Sequence, residues 1–399
     1  MYKLPEHWKV APLKYCVTIN ENVLSETTPP DYRFRYMDIG SVDFYNGILG
    51  YQEIEFGSSP SRARRIVKKR DVIVSTVRTY LKAITAITDD EDVIVSTGFA
   101  VLSPKTIINP IYLTYFCKSN FFCDEVKRNS YGTSYPAISS SALGCLAVNL
   151  PPEPEQKAIA DLLADKCGKT DALIENEERI IDELKEYKKS IIYKAVTKGV
   201  SNVPLKHCAS INDNVLPETT HPDYRFRYID IGSVDFYNGI MGYQEMDFAN
   251  SPSRARRLVR KGNIIVSTVR TYLKAIAEII DDKDVVVSTG FAVLSPKPNV
   301  NPRYLGYFCK SDLFCDEVER NSFGTSYPAI SSSLLGSLSV ILPALAEQQK
   351  IADYLDIKTS EIDNLITLKQ QKISELKEYK KSLIYEYVTG KKEPPKDVT

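Results

Sequence analysis

The longest regular pattern in this sequence is a helical one near the middle of the chain, at residues 155–199. Apolar residues recur there at gaps of three, four and seven, for example at Leu173, Ile180, Leu184 and Tyr187, and such gaps place them on one face of a helix. Prolines precede the segment and a Lys-Gly pair ends it, which are helix start and stop signals. About 42 helical residues at 1.5 Å each would form a rod of roughly 60 Å. A rod of that length can bury its apolar face only against a second long helix.

The second helix comes from an internal duplication with an offset of 192 residues. Residues 31–105 and 223–297 are identical at 59 of 75 positions without a gap, and the same offset places the second helical segment within residues 347–391, where it spans residues 347–389. The repeated unit spans about 190 residues, far more than the repeats of solenoid proteins. The sequence therefore predicts two copies of one globular unit, each followed by a long helix.

Inside each copy, the pattern is that of a mixed α+β globule. Short β-rich runs separated by Asn-Gly, Gly and Asp predict strands. Two segments with aromatic faces predict short helices, and a loop rich in glycine and serine leads to a last short strand. In the first copy the predicted strands are 33–39, 71–76, 82–87, 93–96, 100–102 and 146–150, the helices are 109–118 and 121–129, and the loop is 129–141.

The predicted fold class is α+β, with two globules joined by two long antiparallel helices that form a coiled pair. Antiparallel helices would place one globule near each end of the pair and relate the copies by a pseudo-two-fold axis. Proteins that read inverted repeats in DNA present one surface twice in this way. The predicted segments are a globule at 1–150, a helix at 151–199, a globule at 200–342, a helix at 343–390 and a polar tail at 391–399.

Composition places the chain among ordinary globular proteins. Apolar residues make up 43% and charged residues 26%, and no apolar run approaches the roughly 18 residues of a membrane helix. The first residues lack the apolar core of a signal peptide. The eight cysteines form no CxxC pair and there are only three histidines, so we predict no metal site and reduced thiols in a cytoplasmic protein.

The sequence lacks the common signatures of catalysis. It contains no Walker A loop, no GxSxG, HExxH or GxGxxG motif, and no Asn-Pro-Pro-aromatic motif of an amino-methyltransferase. The 51 basic and 51 acidic residues cancel, so any contact with DNA must come from local patches or be shared with a basic partner. A chain without catalytic residues is therefore predicted.

Three short segments in both copies are the candidate DNA contacts. The septet SPSRARR is unchanged between the copies beside neighbours that differ, and three arginines within four residues suit phosphate oxygens. The segment TVRTYLK mixes side chains that suit base edges and phosphates, and the loop YGTSYP offers backbone N–H groups, hydroxyls and aromatic rings. The candidate residues are Arg62, Arg64, Arg65, Arg78, Thr79, Tyr80, Lys82, Tyr131, Ser134 and Tyr135, with Arg254, Arg256, Arg257, Arg270, Thr271, Tyr272, Lys274, Phe323, Ser326 and Tyr327 in the second copy.

Each segment also has a purely structural interpretation. The arginine septet could be a solvated charge cluster, Tyr80 could pack at the end of a strand, and the loop at 131–141 could be a link to the long helix. A further set of aromatic residues is interpreted as core: Tyr32, Phe34, Tyr36, Phe44 and Tyr45.

Taken together, these motifs resemble the specificity subunit of type I restriction–modification systems. The resemblance rests on the duplicated layout and on three motifs found in both copies: GTSYPAISSS, a Leu-Pro/Glu-Gln/Ile-Ala-Asp stretch, and a long helix containing LKEYKKS. The segment IVSTVRTYLKA also looks like a strand-and-loop signature of the family's target recognition domains. The motifs span nearly the whole chain.

The resemblance implies two target recognition domains, each reading one half of a bipartite DNA site, on helices that set the spacer. The helices would dock two modification subunits, which hold S-adenosylmethionine and methylate adenine. Restriction subunits could add ATP- and Mg-dependent translocation and cleavage. The chain itself would bind no cofactor and would catalyse no reaction.

The sequence departs from the family in one respect, because most members have two dissimilar recognition domains. Two nearly identical domains predict an inverted-repeat target. A stand-alone DNA-binding regulator with the same internal repeat is the alternative interpretation, and a scaffold whose globules bind protein or peptide is a second. Tight DNA binding without a modification subunit would favour the regulator.

Overall fold

The computed structural model describes residues 4–88, 92–199, 202–281 and 283–395. The chain forms two compact units, one made of Met1–Glu177 with Gln371–Thr399 and the other of Glu178–Gln370. Each unit contains one globule together with the N-terminal part of one long helix and the C-terminal part of the other. A compact unit therefore includes parts of both helices, whereas the sequence pattern separates globules from helices.

Both repeats contain the same order of elements. In the described part of the first repeat, the strands are β1 (Lys9–Pro12), β2 (Val17–Ile19), β3 (Arg33–Met37), β4 (Val42–Asp43), β5 (Gly47–Ile48), β6 (Gln52–Glu55), β7 (Ala63–Ile66), β8 (Val72–Ser75), β9 (Ile84–Ala86), β10 (Val93–Ser96), β11 (Phe99–Pro104) and β12 (Ala147–Leu150). Its α-helices are α1 (Leu13–Cys16), α2 (Pro110–Lys118), α3 (Asn120–Arg128), α4 (Ser140–Gly144) and α5 (Glu153–Val196).

In the described part of the second repeat, the strands are β13 (Asn202–Pro204), β14 (Ala209–Ile211), β15 (Arg225–Ile229), β16 (Val234–Asp235), β17 (Gly239–Ile240), β18 (Gln244–Asp247), β19 (Ala255–Leu258), β20 (Ile264–Ser267), β21 (Ile276–Glu278), β22 (Val285–Ser288), β23 (Phe291–Pro296) and β24 (Ser339–Ile341). Its α-helices are α6 (Leu205–Cys208), α7 (Pro302–Cys309), α8 (Asp312–Arg320), α9 (Ser332–Ser337) and α10 (Leu345–Val388).

Two four-stranded sheets form the β part of each globule. Their strand orders are β6-β3-β10-β7 and β2-β11-β8-β9 in the first globule, and β18-β15-β22-β19 and β14-β23-β20-β21 in the second. Strands β3 and β10 run parallel, whereas β10 and β7 run antiparallel. Strand β1 pairs with β12 and so joins the beginning of the described chain to the strand that leads into α5.

The central strands are buried on both faces, which explains their unbroken runs of β-branched residues. All four residues of β8 are buried. Ile73 packs into a core shared with Phe99 of the adjacent strand β11 and Val95 of β10 in the other sheet. Val72 and Val74 belong to the opposite core, which includes α2, α3 and the beginning of α5. The period-two alternation of a strand thus supplies both layers of the globule.

A buried glutamine anchors each globule to the long helix that follows it. The Gln156 side chain accepts a hydrogen bond from the Asn109 backbone N–H at 2.8 Å and donates to the carbonyl oxygens of Ile107 and Pro151. Gln348 accepts a hydrogen bond from the Asn301 backbone N–H at the same distance. Because a buried amide must satisfy its polar atoms, this pairing fixes where the helix leaves the globule.

The two long helices span 44 residues each. In the first unit, Lys380 Nζ of α10 lies 2.6 Å from Asp171 Oδ2 of α5, and Lys372 pairs with Glu177. The partner of Glu177 in α10 therefore has a lower number than the partner of Asp171, which shows that the two helix segments run antiparallel. In the second unit Lys188 of α5 pairs with Asp363 of α10 at 2.7 Å, which is the same Lys–Asp pair with the helices exchanged.

The predicted fold class is confirmed, with two α+β globules and two long antiparallel helices. Helix α5 begins at Glu153 and ends at Val196, close to the predicted range. None of the helices among the described residues combines the length and apolar character that crossing a lipid bilayer requires.

Candidate nucleic-acid interface

A tight turn after β8 presents the first group of candidate residues. Thr79–Leu81 forms a single 3₁₀ turn, flanked by Arg78 and Lys82 with φ values of 50° and 49°. The equivalent Arg270 and Lys274 have φ values of 51° and 47°. Non-glycine residues seldom adopt this left-handed conformation, and strained backbone persists only where its surroundings hold it. Because both globules adopt the same conformation, we conclude that the fold specifies this turn.

Hydrogen bonds to the glycine–serine-rich loop hold this turn in place. The Thr79 hydroxyl lies 3.0 Å from the Ser130 hydroxyl, and the Thr79 backbone N–H donates to the Pro136 carbonyl oxygen at 3.2 Å. The Ile138 N–H donates to the Thr76 carbonyl oxygen at 2.8 Å. Thr79 is only 7% exposed, so the structure favours a supporting role for Thr79 and Thr271 over the direct DNA contact predicted for them.

Each turn stacks its arginine on a tyrosine of the loop. The Arg78 guanidinium lies 5.2 Å from the centre of the Tyr135 ring, and Arg270 lies 5.1 Å from that of Tyr327. Cation–π contact orients the planar guanidinium and leaves its edge available to an acceptor. Tyr135 is 66% exposed and Tyr131 is 82% exposed, so each loop presents aromatic surface that a soluble protein usually reserves for a partner.

The other turn and loop candidates differ in exposure. Tyr80, Tyr272 and Phe323 are exposed, and so are the serines Ser134 and Ser326. Lys82 is half-buried, with its ammonium 5.7 Å from the Phe44 ring centre. The exposed residues are accessible to a ligand, whereas the aliphatic part of Lys82 contributes to packing.

The three arginines of the septet have three different surroundings. Arg62 donates to the Tyr36 hydroxyl at 3.3 Å and pairs with Asp38 at 3.4 Å, and the hydrogen bond with Tyr36 raises the pKa of Arg62. Arg64 stacks on the Phe56 ring at 4.9 Å. Arg65 is half-buried, its Nε has no hydrogen-bond partner among the described residues, and burial lowers its pKa. This arrangement argues against one phosphate clamp made by all three guanidiniums.

The second copy repeats two of these three surroundings. Arg256 stacks on the Phe248 ring at 4.7 Å, and burial lowers the pKa of Arg257 as it does that of Arg65. The Arg254 guanidinium alone departs from its counterpart, since it forms no side-chain hydrogen bond or ion pair with any residue that the structure describes, although the Arg254 carbonyl oxygen accepts from the Thr289 N–H. Arg254 lines a cleft instead.

This cleft brings the three predicted segments together in the second globule. Arg254 comes from the septet, Arg270 from the turn and Tyr327 from the loop, and all three line one cleft of about 410 Å³. The cleft also includes Asp230, Ser288, Thr289 and Gly290. The sequence interpretation missed Asp230 and its counterpart Asp38, although an acidic residue unchanged between the copies beside a buried strand was an available signal.

A glycine in the lining of the cleft permits close packing of the neighbouring side chains. A Cβ atom on Gly290 would lie 2.9 Å from Ile231 Cδ1 and 3.1 Å from Val269 Cγ2, and one on Gly98 would meet the equivalent Ile39 and Val77. Both distances are too short for ordinary packing. The turn therefore sits against β22 and β23 in a way that requires glycine.

The described residues contain no group of three or more His, Cys, Asp or Glu side chains arranged to hold a metal ion. The chemistry that the site offers is recognition, because guanidinium groups, hydroxyls and exposed rings can bind acceptor atoms and stack on bases.

Comparisons with known proteins point the same way. The family model described as the type I restriction modification DNA specificity domain matches residues 9–186 and 231–378. The chain is 24% identical to the type I restriction enzyme MjaVIII specificity subunit of Methanocaldococcus jannaschii over 328 residues, which cover 75% of this chain and 74% of that protein. It is 25% identical to the putative MjaX specificity subunit of the same organism over 427 residues, covering 98% and 94%.

Solved structures share the fold. A chain from a structural study of a type I R-M system matches with a TM-score of 0.77 and 22% identity, covering 97% of this chain and 99% of its own. The HsdS subunit from Thermoanaerobacter tengcongensis matches with a TM-score of 0.54 and 22% identity, covering 98% of both chains. The family match extends over most of the chain and over both repeats, and we conclude that this chain belongs to the family of DNA specificity subunits of type I restriction–modification systems.

Proposed function

We propose that each globule reads one half of a bipartite DNA site through its arginine–tyrosine turn. The observation that carries this proposal is that two globules far apart in sequence hold the same stacked pair, Arg78 on Tyr135 and Arg270 on Tyr327, on the same strained turn. An arginine edge supplies the two donors that guanine or a phosphate accepts. The exposed Tyr80 and Tyr131 add surface for the sugar–phosphate backbone.

The target is an inverted repeat in this proposal. All the cleft residues of the second globule have identical counterparts in the first. Substitutions between the copies fall elsewhere, for example Arg70 against Gly262 and Thr85 against Ala277. Identical readers on antiparallel helices would bind the same few base pairs on opposite strands.

The long helices would set the spacer and dock two modification subunits. Large apolar side chains are exposed along them, at Leu173 and Tyr187 of α5 and at Ile357 and Leu368 of α10, as expected of a surface that a partner helix covers. The modification subunits would supply S-adenosylmethionine and methylate adenine, and restriction subunits, where present, would use ATP and Mg. The chain itself would bind none of these cofactors, would catalyse no reaction and would act in the cytoplasm.

Methylome sequencing of a host that expresses the chain with its modification subunit tests the target directly. We expect one methylated motif in which the two half-sites are the same sequence on opposite strands, separated by unspecified bases. An asymmetric bipartite motif would overturn the inverted-repeat proposal. A host that expresses the modification subunit alone provides the control and should lack the motif.

A further inference from the structure

The septet arginine occupies different positions in the two globules. In the first, Arg62 Nε donates to the buried Tyr36 hydroxyl and its Nη2 lies 3.4 Å from Asp38 Oδ2. In the second, the equivalent Tyr228 hydroxyl is buried without any hydrogen-bond partner among the described residues, and Arg254 lines the cleft beside Arg270 and Tyr327. We call these the docked and the released positions.

Both positions are available to either globule, because the residues that form them are identical. The septet, the Tyr–x–Asp stretch at the end of β3 and of β15, and the turn are the same in the two copies. Two arrangements of one local sequence in one molecule must lie close in free energy. The weakness of the docked contacts agrees with this, since the Arg62 side chain is 59% exposed and an exposed ion pair shifts an equilibrium by a factor of about five or less.

The released position has a cost that a ligand would offset. It leaves a buried tyrosine hydroxyl unsatisfied, which is unfavourable. It also places two guanidinium groups, those of Arg254 and Arg270, in a cleft whose lining includes one carboxylate, that of Asp230, so one positive charge there is left uncompensated. A hydrogen-bond acceptor that carries negative charge or lone pairs would offset this charge and compensate for the lost contacts.

We propose that Arg62 and Arg254 are one recognition side chain with two positions, and that an acceptor group of the target DNA draws the side chain from the docked into the released position. Tyr36 with Asp38, and Tyr228 with Asp230, are then positioning residues that hold the arginine on the tyrosine hydroxyl until DNA arrives. This inference rests on the proposed function, because it assigns the cleft to DNA. A phosphate oxygen and the O6/N7 edge of guanine have the same acceptor chemistry, and both are available in DNA.

Removal of the docking hydroxyl tests the proposal without a change of charge. The double variant Tyr36→Phe/Tyr228→Phe should increase the released fraction, since apparent affinity falls in proportion to the fraction of protein held in a non-binding form. We expect the complex of the full chain with its modification subunits to bind the target duplex about two- to fivefold more tightly by fluorescence anisotropy. Unchanged or weaker binding would overturn the proposal.

A scrambled duplex identifies which DNA group enters the cleft. If a phosphate does, the variant binds target and scrambled duplexes more tightly by the same factor. If guanine does, only the target gains. Tyr32→Phe with Tyr224→Phe is the matched control, because Tyr32 packs against the same buried cluster as Tyr36 and its hydroxyl donates to Asp92 at 3.2 Å rather than accepting from an arginine. The control should bind both duplexes as the unmodified chain does.

Two further measurements separate this inference from the function beneath it. The Arg78→Ala/Arg270→Ala variant should lose affinity for the target duplex, and unchanged affinity would contradict the proposed function. If this variant loses affinity but the tyrosine variant has no effect, only the two-position inference is contradicted. A structure of the DNA-bound complex gives a second answer, even if a tyrosine variant folds poorly. Both septet arginines should lie in their clefts, and an Arg62 still bonded to Tyr36 would refute the switch.

Discussion

A non-glycine residue in the left-handed region costs on the order of 1 kcal/mol or more, and each globule places two of them around a single turn. Arg78 and Lys82 flank the turn in the first globule, and Arg270 and Lys274 in the second. The buried Thr79 and its hydrogen bonds to Ser130 and Pro136 hold this backbone in place. The strain has a use, because it directs one arginine onto the face of a tyrosine and keeps it there.

Loss of that arginine should weaken DNA binding in the complex with modification subunits. We expect Arg78→Ala with Arg270→Ala to cost about 1–3 kcal/mol at each half-site. If the arginine reads a base, discrimination between target and scrambled duplexes should fall. If it contacts a phosphate, both affinities should fall equally and the slope of log K against log salt should decrease by about one for each contact.

The chain offers a matched control for this charge loss. Lys105 follows the far end of β11 from the cleft, about 20 Å away at 3.3 Å per strand residue, and donates to the Lys14 carbonyl oxygen. Its counterpart Lys297 donates in the same way to Lys206. Lys105→Ala with Lys297→Ala should leave DNA affinity unchanged, and a loss as large as that of the arginine variant would mean that net charge, not the turn, governs binding.

The copies also differ by single residues away from the cleft, and Glu278 provides a test by pH. It replaces Ala86 and lies half-buried, and burial followed by repulsion from Asp356 raises its pKa above 4.5, against the lowering effects of Arg303 and Lys310. The ionised form is thus disfavoured in the folded state. The free energy of unfolding is therefore lowered by the full amount at pH values above the raised pKa. This effect disappears below the unfolded value of about 4.3.

Glu278→Gln should therefore stabilise the protein at neutral pH by an amount that shrinks in acid. We expect the midpoint of thermal unfolding to rise by about 2 °C at pH 7.5 and the difference to vanish near pH 4, as measured by circular dichroism. A variant that is equally or less stable at pH 7.5 would show that the attraction of the carboxylate to the nearby cations Arg303 and Lys310 outweighs its burial.

At the scale of elements, the local sequence pattern is sufficient to predict a helix or strand whose formation depends mainly on its own residues. The gaps of three and four predicted both long helices to within a few residues, and the continuous β-branched runs predicted β8 and β10. The parallel pairing of β3 with β10 was not predictable, since it joins segments about 60 residues apart that carry no mutual signal. Strand β7 is absent from the predicted strands, because Arg64 and Arg65 conceal its alternation.

The cleft could be predicted only in part for the same reason. Its three segments were recognised one by one from their persistence between the copies, but their meeting depends on how the sheets fold. Asp38 and Asp230 have only one signal in the sequence, their identity in the two copies, and the burial of Thr79 cannot be seen in a polar segment. The aromatic Phe34 and Tyr36 were correctly placed in the core.

The equivalent ion pairs Lys380–Asp171 and Lys188–Asp363, which we call the exchanged pair, are expected to stabilise the contact between the two long helices. The side chains of Lys188 and Lys380 are only 13% and 11% exposed, whereas their aspartates are about half exposed. Lys188→Met with Lys380→Met should lower the free energy of unfolding by roughly 1 kcal/mol per pair. A double-mutant cycle with Asp171→Ala and Asp363→Ala in urea unfolding would measure the coupling.

A solvent-exposed pair on one helix is the comparison for that cycle. Lys169 and Asp165 lie four residues apart on α5, where such a pair contributes about 0.3–0.5 kcal/mol. The coupling of the exchanged pair should exceed this value. Equal coupling would mean that apolar packing alone, as of Ile159 against Leu383 and Ile384 in the first unit, holds the helices together.

At the scale of the whole molecule, the proposed function makes helix length a property of the target. The chain passes from one compact unit to the other between Glu177 and Glu178 in α5 and between Gln370 and Gln371 in α10. An insertion at those two points leaves every contact inside each unit in place. Four residues lengthen a helix by about 6 Å and turn it by about 400°, so that its faces are nearly restored.

The same four helix-forming residues inserted at both points should therefore lengthen the spacer of the methylated motif by about two base pairs at 3.4 Å each. The half-sites should stay as they are, because the cleft that reads them lies within a unit. An insertion of two residues would rotate one end of each helix by about 200° and should abolish methylation. Methylome sequencing measures both outcomes, and altered half-sites with an unchanged spacer would show that the helices do not set the distance.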